Sequence, residues 1–425
     1  MKKVYWLLFL LLPAAYAWTP TRVGDYFEPR SLRVDFALSG NDTIETASLQ
    51  RLREEPVWGG PRRNLIDTSL YGNYYVRLYD KASGQLIYSR GFCTLFDEWR
   101  TTDQAKSETQ SWDNSLSVPW PKKNVTLVIE ARDRRTMRFR SLLRLEVDPR
   151  SATIDRSPLD ENPVTRIQYS GDPAGKVDLV FLAEGYTEAE QDKFLSDARR
   201  FTGRLFETEP YASHRDDFNI WAVGLRSADS GTDLSGRGVW KNTALNSGFY
   251  TFGIDRYLTT PDMRSVRDAV WNVPNDAVFI LVNTDIYGGG GFYNFYGLGS
   301  ADNELTLRVF VHELGHSLAG LADEYFDSEV AYNDYYDLGQ EPWEPNITTL
   351  VDFGRKWRDM LDSESSVPTA PDPSDPGRLG VYEGGGYVAR GIYRPLDFCC
   401  MRGGEEFCPV CRRAIDRAIR FLSDR

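Results

Sequence analysis

Histidine is scarce in this chain, with three residues in 425, and cysteine and methionine follow with five each. So few histidines make their positions informative: two of the three, His312 and His316, stand four residues apart. Long apolar runs are missing after the first residues, which excludes a body that spans a membrane. Positive charge is in deficit, with 50 Lys and Arg against 62 Asp and Glu and a net charge of −12. Such a chain is a poor partner for nucleic acid or an anionic membrane. Internal repeats and low-complexity tails are absent. The odd cysteine count leaves at least one thiol unpaired or intermolecular.

What is present begins with Lys2 and Lys3, an apolar run from Val4 to Leu12, and Pro13 to Ala17. A positive start, a short apolar core and a small-x-small ending describe a secretory signal peptide over residues 1–17, cleaved near Ala17. The expected location is secreted or periplasmic. From about residue 30 to 150 the pattern is strand-like: Leu32, Val34, Phe36 and Leu38 alternate with polar or small neighbours. So do Val125, Leu127, Ile129 and Ala131, and then Leu143, Leu145 and Val147. Tyr74 to Tyr79 and Gln85 to Ser89 flank a turn at Asp80 to Gly84 and read as a hairpin. An N-terminal antiparallel β-sandwich over residues 18–160 is the economical interpretation. A segment rich in Pro, Asp and Ser, from Asp148 to Pro163, reads as the linker.

Strands and helices alternate after it, as in an α/β domain over residues 161–425; the whole is α+β and multidomain. Val177 to Leu182, Phe218 to Val223 and Ala277 to Val282 read as buried strands. Thr187 with Glu190 forms a capping box that opens a helix through Leu205. Ser227 to Gly248, rich in Gly and Asp, reads as a surface loop.

His312-Glu313-Leu314-Gly315-His316 carries the chemistry. Two imidazoles four residues apart lie on one face of a helix and can grip one zinc ion, while the glutamate between them reaches the water that the metal holds. Leu305, Val309, His312 and His316 follow helical spacing, with Asp302 or Ser300 as the cap. A third ligand must come from elsewhere, and no histidine follows. Asp323, three residues after the helix-ending Gly320, is the first choice, and Glu324 the second. Glu313 is the general base. Tyr325, Tyr387 and Tyr393 are candidate donors to the oxyanion. The bland reading makes His312 and His316 ordinary helix residues, and His214 reads as a surface residue rather than a ligand.

At these residues the chain resembles the bacterial IgA-peptidase family of zinc metalloendopeptidases. The matching stretches are Asp178 to Tyr186, His312 to Tyr325, and Glu383 to Tyr387 continuing through Cys400-Met401. The resemblance implies a secreted zinc endopeptidase with a metzincin-like catalytic domain, protein or peptide substrates, and immunoglobulin among them. It also implies that Met401 forms the methionine turn beneath the metal helix, and that the glycine-rich run before Phe292 is an edge strand of the cleft. Gly320 stands four residues beyond His316 rather than the metzincin three, so Glu324 stays open as third ligand.

The alternative from another class is a secreted glycan- or protein-binding protein with a structural zinc and no turnover. It predicts a closed site that binds both Asp323 and Glu324. Cys399, Cys400, Cys408 and Cys411 could hold a second zinc, but export favours disulfides that brace the Met401 turn. Cys93 reads as a buried structural thiol. The oligomeric state stays open.

Overall fold

The structure, a computed structural model, describes residues 23–327, 335–372 and 374–424. The expected leader over residues 1–17 lies outside them. Among the described residues no helix is long and apolar enough to cross a membrane.

A short helix α1 (Val23–Tyr26) leads into the N-terminal β region. Its strands are β1 (Phe27–Gly40), β2 (Glu45–Glu55), β3 (Tyr74–Asp80), β4 (Leu86–Phe92), β5 (Gln110–Pro121), β6 (Val125–Arg132) and β7 (Phe139–Val147), with α2 (Leu95–Trp99) between β4 and β5. All pair antiparallel, in a three-stranded sheet of order β2-β1-β5 and a four-stranded sheet of order β4-β3-β6-β7. Leu32, Val34, Phe36 and Val118 of the first share one core with Tyr74, Val76, Leu127 and Ile129 of the second. The hairpin turn closes where Gly84 N–H donates to Asp80 O at 2.8 Å.

The alternation along β1 does not separate a buried face from a solvated one. Its second face is buried as well: Arg33 and Asp35 are 0% and 2% exposed. They face the helix Met263–Ala269, where Arg33 Nη1 meets Asp268 at 2.5 Å, and Arg33 Nε meets Asp35 at 2.7 Å. Buried charges persist where each finds a partner, so polar residues here mark a contact between the two halves of the chain rather than solvent. Residues 148–163 contain no helix or strand, and Asp155 pairs with Arg53 of β2.

The second half is a mixed α/β arrangement. Its elements are β8 (Val164–Gln168), β9 (Val177–Glu184), α3 (Gln191–Leu205), β10 (Phe218–Val223), a short pair β11 (Asp233–Leu234) and β12 (Gly248–Phe249), α4 (Met263–Ala269), β13 (Ala277–Val282), β14 (Gly289–Phe292), β15 (Tyr296–Ser300), α5 (Thr306–Ala319), a hairpin β16 (Tyr382–Gly385) and β17 (Val388–Arg394), and α6 (Pro409–Leu422). The main sheet has the order β14-β15-β13-β9-β10-β8. Its four central strands are parallel, and β8 and β14 run antiparallel at the edges. Parallel strands bury both faces, which is why β9 and β10 read as continuous apolar runs. Phe181, Phe279, Phe201 and Phe310 lock α3 and α5 against the sheet, with ring centroids 4.8 Å apart for Phe279 and Phe310 and 5.1 Å for Phe201 and Phe310. The capping box forms: Thr187 N and Oγ1 both donate to Glu190 Oε2, at 2.9 and 2.8 Å.

Candidate metal centre

Helix α5 carries the two histidines, but it begins later than the cap expected at Ser300 or Asp302. Leu305 precedes its first residue, Leu305 N donates to Asn303 Oδ1 at 3.0 Å, and Asp302 instead pairs with Lys193 at 2.8 Å. Leu305 is exposed, so it does not extend the buried face. Val309, Phe310, Val311, Leu314 and Leu318 are buried, and His312 and His316 are partly buried on the wall of an open cleft. Gly320 ends the helix at φ 64°, and Leu321 N returns to Gly315 O at 3.2 Å. This left-handed reversal is cheap only for glycine and sends residues 321–325 back beneath the histidines.

Those residues lie outside helices and strands and are held by alternate backbone bonds. Asp323 O accepts from Gly386 N at 2.9 Å, Glu324 N donates to Met401 O at 2.9 Å, and Tyr325 O accepts from Tyr387 N at 3.0 Å. Asp323 and Glu324 therefore go to different partners. Asp323 Oδ1 lies 3.0 Å from His312 Nε2 and 3.4 Å from His316 Nε2, and the two Nε2 atoms are 3.1 Å apart. The Glu324 carboxylate instead accepts from Asn346 Nδ2 at 2.9 Å and from Cys411 Sγ at 3.2 Å. The closed site with both carboxylates, which the binding-protein alternative requires, is absent among the described residues.

The triangle fits a metal. Donors at tetrahedral zinc distances stand about 3.3 Å from one another. Both remaining imidazole nitrogens are engaged, His312 Nδ1 with Cys400 O at 3.0 Å and His316 Nδ1 with Leu321 O at 2.6 Å. Each of these carbonyls takes an N–H, which leaves Nε2 as the lone-pair side facing the triangle. Asp323 Oδ1 is buried and has no hydrogen-bond donor, while Tyr387 Oη donates to Oδ2 at 2.6 Å. Burial opposes ionisation of Asp323, but His316 and His312 hold its carboxyl well below the usual range. Glu313 is the opposite case: burial pushes its carboxyl up, and the two histidines only partly offset this. One donor atom each of His312, Glu313 and His316 falls within 4.8 Å of the others.

Glycines let the neighbouring elements close on this helix. A Cβ on Gly291 of edge strand β14 would stand 2.4 Å from Glu313 O, and one on Gly289 would stand 2.7 Å from Val309 Cγ1. The glycine-rich run is thus an edge strand of the cleft, although Tyr257 already bridges to Gly289 on its outer side. Below the helix, Met401 is fully buried, with Sδ 3.0 Å from where a Cβ on Gly315 would lie.

Other expectations are sorted by the fold. Tyr325 and Tyr387 line the cleft; Tyr393 sits on β17, paired through its backbone with Thr348, outside the cleft lining. His214 is far from bare surface: Nδ1 meets Asp217 at 2.8 Å and Nε2 meets Asp416 at 2.9 Å, joining the start of β10 to α6. All five cysteines are free thiols, so the disulfides expected around Met401 are not formed. Cys93 lines the cleft beside Asp97 and Glu98 of α2, which brings the N-terminal region into its wall. Arg256, hydrogen-bonded to Tyr325, also lines it and was missed from sequence. No motif surrounds Arg256, and only the loop's path brings it there.

A fold that joins a His/His/Asp triangle on a cleft wall to a neighbouring glutamate has the makings of a metal-dependent hydrolase. Comparison with protein families gives the particular one. The model described as IgA Peptidase M64 matches residues 165–375 and 370–419, and the model described as Peptidase M64 N-terminus matches residues 23–142. The chain belongs to the IgA peptidase M64 family and is a metallopeptidase, acting on protein substrates. No curated protein matches it.

Proposed function

We propose that the protein is a secreted zinc endopeptidase in which His312, His316 and Asp323 hold the metal and Glu313 is the general base. The triangle of Nε2, Nε2 and Oδ1 carries this reading, because Asp323 Oδ1 is buried without a donor and both Nδ1 atoms are already committed. Zinc bound there supplies Lewis acidity, which acidifies a water and polarises the scissile carbonyl. Three protein ligands leave a coordination position for that chemistry, unlike a structural site.

The chain's own groups do the rest. Glu313, whose carboxyl burial makes more basic, takes the proton from the attacking water and passes it to the departing amine. Tyr387 orients Asp323 through its 2.6 Å hydrogen bond. Arg256 and Tyr325, on the cleft wall, are placed to offer positive charge and a donor to the developing oxyanion. The glycines of β14 present backbone to an extended substrate chain, and the burial of Met401 under Gly315 supports a metzincin-like catalytic domain behind a β-sandwich. Immunoglobulin A is a candidate substrate through the family description. Lys2 to Ala17 motivate export.

The test is a cleavage-site profile of the zinc-loaded protein on a mixed protein substrate, immunoglobulin A included, against Glu313→Gln. New termini should vanish in the variant while bound zinc is unchanged. Equal cleavage by both proteins would remove Glu313 as base, and cleavage that survives His316→Ala with full zinc content would remove the metal assignment.

A further inference from the structure

Glu324, turned away from the triangle, ends in a second convergent cluster. Its partners are Cys399 and the pair Cys408-Pro409-Val410-Cys411, where the chain turns into α6. One donor atom from each of the four residues lies within 4.8 Å of all the others, and all four residues are buried. Cys399 Sγ and Cys411 Sγ stand 3.7 Å apart, and Cys411 Sγ stands 3.2 Å from Glu324 Oε1. Thiolates on a tetrahedral zinc lie about 3.8 Å from one another, given a zinc–sulfur bond of about 2.3 Å.

We propose that Cys399, Cys408, Cys411 and Glu324 form a second, closed metal site for a thiophilic divalent cation, zinc by preference, distinct from the catalytic triangle. Four observations carry it. Glu324 is 0% exposed and its Oε2 has no hydrogen-bond partner, an arrangement that is costly for a carboxylate unless a cation takes the lone pair. Three sulfurs around one point suit a soft metal rather than calcium or magnesium. Backbone N–H groups of Cys408 and Cys411 point at Cys399 Sγ and Cys408 Sγ, at 3.3 and 3.5 Å, and such donors favour anionic sulfur. Finally, three thiols surround one carboxylate, so a disulfide between any two would strand the third thiol and Glu324 in a dry pocket. Binding needs no redox partner: three thiol protons leave as the cation enters.

The site explains why separate segments meet beneath the catalytic helix. Glu324 follows Asp323 directly, and its N–H donates to Met401 O at 2.9 Å. Cys399 precedes Cys400, whose carbonyl engages His312 Nδ1 at 3.0 Å. A cation that ties Glu324 to Cys399 and to the first turn of α6 therefore fixes two supports of the triangle from below. With four protein ligands it has no open position, so its role is structural.

Metal content and a spectrum test the proposal without reference to turnover. The full chain reconstituted with zinc should carry two equivalents, and the His312→Ala/His316→Ala double variant one. Loaded with cobalt(II), that double variant should show a sulfur-to-cobalt charge-transfer band, which the nitrogen and oxygen donors of the triangle cannot produce. The further change Cys408→Ser/Cys411→Ser should abolish the band. Alkylation of the denatured, unreduced and chelator-treated chain should tag all five cysteines. A single equivalent in the parent chain that is lost in the His312→Ala/His316→Ala variant, a double variant without the band, or a pair of cysteines protected from alkylation would each overturn the site. The catalytic reading would stand in all three cases.

Discussion

Tyr387 donates a 2.6 Å hydrogen bond to Asp323 Oδ2, and leaves Oδ1 of the same carboxylate facing the two histidines. One oxygen is held by a protein donor, and the other stands beside the two imidazoles, where the proposed metal would sit. Tyr387 reaches this position from the turn of the β16–β17 hairpin at φ 69°, a conformation seldom adopted by residues other than glycine. The hairpin is anchored through Gly386 N to Asp323 O and Tyr387 N to Tyr325 O.

Removing that hydroxyl should loosen the metal rather than the fold. Tyr387→Phe is expected to weaken zinc binding by about 10- to 100-fold, as is usual when a ligand loses its orienting partner. Competition with a chromogenic chelator measures it. Unchanged affinity would show that Asp323 needs no such support.

The glycines of β14 should separate cleanly by position. Gly291→Ala places a Cβ 2.4 Å from Glu313 O and 3.0 Å from His316 Cβ, so strand and helix must part. A loss of about 1–3 kcal/mol of stability is expected, with a large fall in kcat/KM. Gly299→Ala, on the adjacent strand β15, meets nothing nearer than 3.6 Å and should be near neutral. Thermal melts and peptide turnover of the two variants make the comparison.

Glu184 should hold the long loop after β10. Its buried carboxylate accepts from Thr243 Oγ1 at 2.7 Å, Leu245 N at 2.7 Å and Ser247 N at 2.8 Å. Glu184→Ala strands these donors, at an expected cost of about 3 kcal/mol or more, because several buried partners are lost together. Hydrogen exchange at Leu245 and Ser247 should quicken; protection equal to the parent's would show that other contacts hold the loop.

Asp178 on β9 gives a pH dependence. Burial pushes its carboxyl up from an ordinary 3.8, against hydrogen bonds from Trp221 and Asn219. The neighbouring Asp276, whose Oδ2 accepts from Asp178 N at 2.9 Å, is pushed up with it. Asp178 Oδ2 has no partner. The folded chain therefore binds this proton more tightly than the unfolded one, and stability falls as pH rises from the unfolded value through the raised folded one. Asp178→Asn keeps an oxygen for Trp221 Nε1 and Asn219 Nδ2 and removes the charge. The variant should gain stability over the parent at pH 8 and close to nothing at pH 4. Denaturant melts at the two pH values check it, and equal gains at both would rule out titration as the cause.

Much of the fold was legible because its signals are local. Phe218 to Val223 and Ala277 to Val282 are apolar enough to read as buried strands, and they form β10 and β13 at those limits. Thr187 and Glu190 cap each other across one turn, and Gly320 stops α5 through its own backbone freedom. The start of α5 was misplaced because Asp302 is drawn to Lys193 across space, and a long-range ion pair leaves no mark on neighbouring residues. Arg33 and Asp35 are polar neighbours in the alternation of β1, and nothing in that spacing announces that α4 covers them. Export favours disulfides around Met401, whereas three free thiols, of Cys399, Cys408 and Cys411, gather around Glu324, whose approach no spacing announces.

The sequence by itself determined that His312 and His316 share a helical face with Glu313 between them, since a four-residue interval is one turn wherever the helix lies. Tertiary structure alone decided which of Asp323 and Glu324 stands beside the histidines. Adjacent residues are equivalent by proximity along the chain, but the backbone bonds to Gly386, Met401 and Tyr387 set the path of residues 323–325 and send one carboxylate to the histidines and the other to the cysteines. That choice belongs to segments more than sixty residues away, which only folding brings into contact.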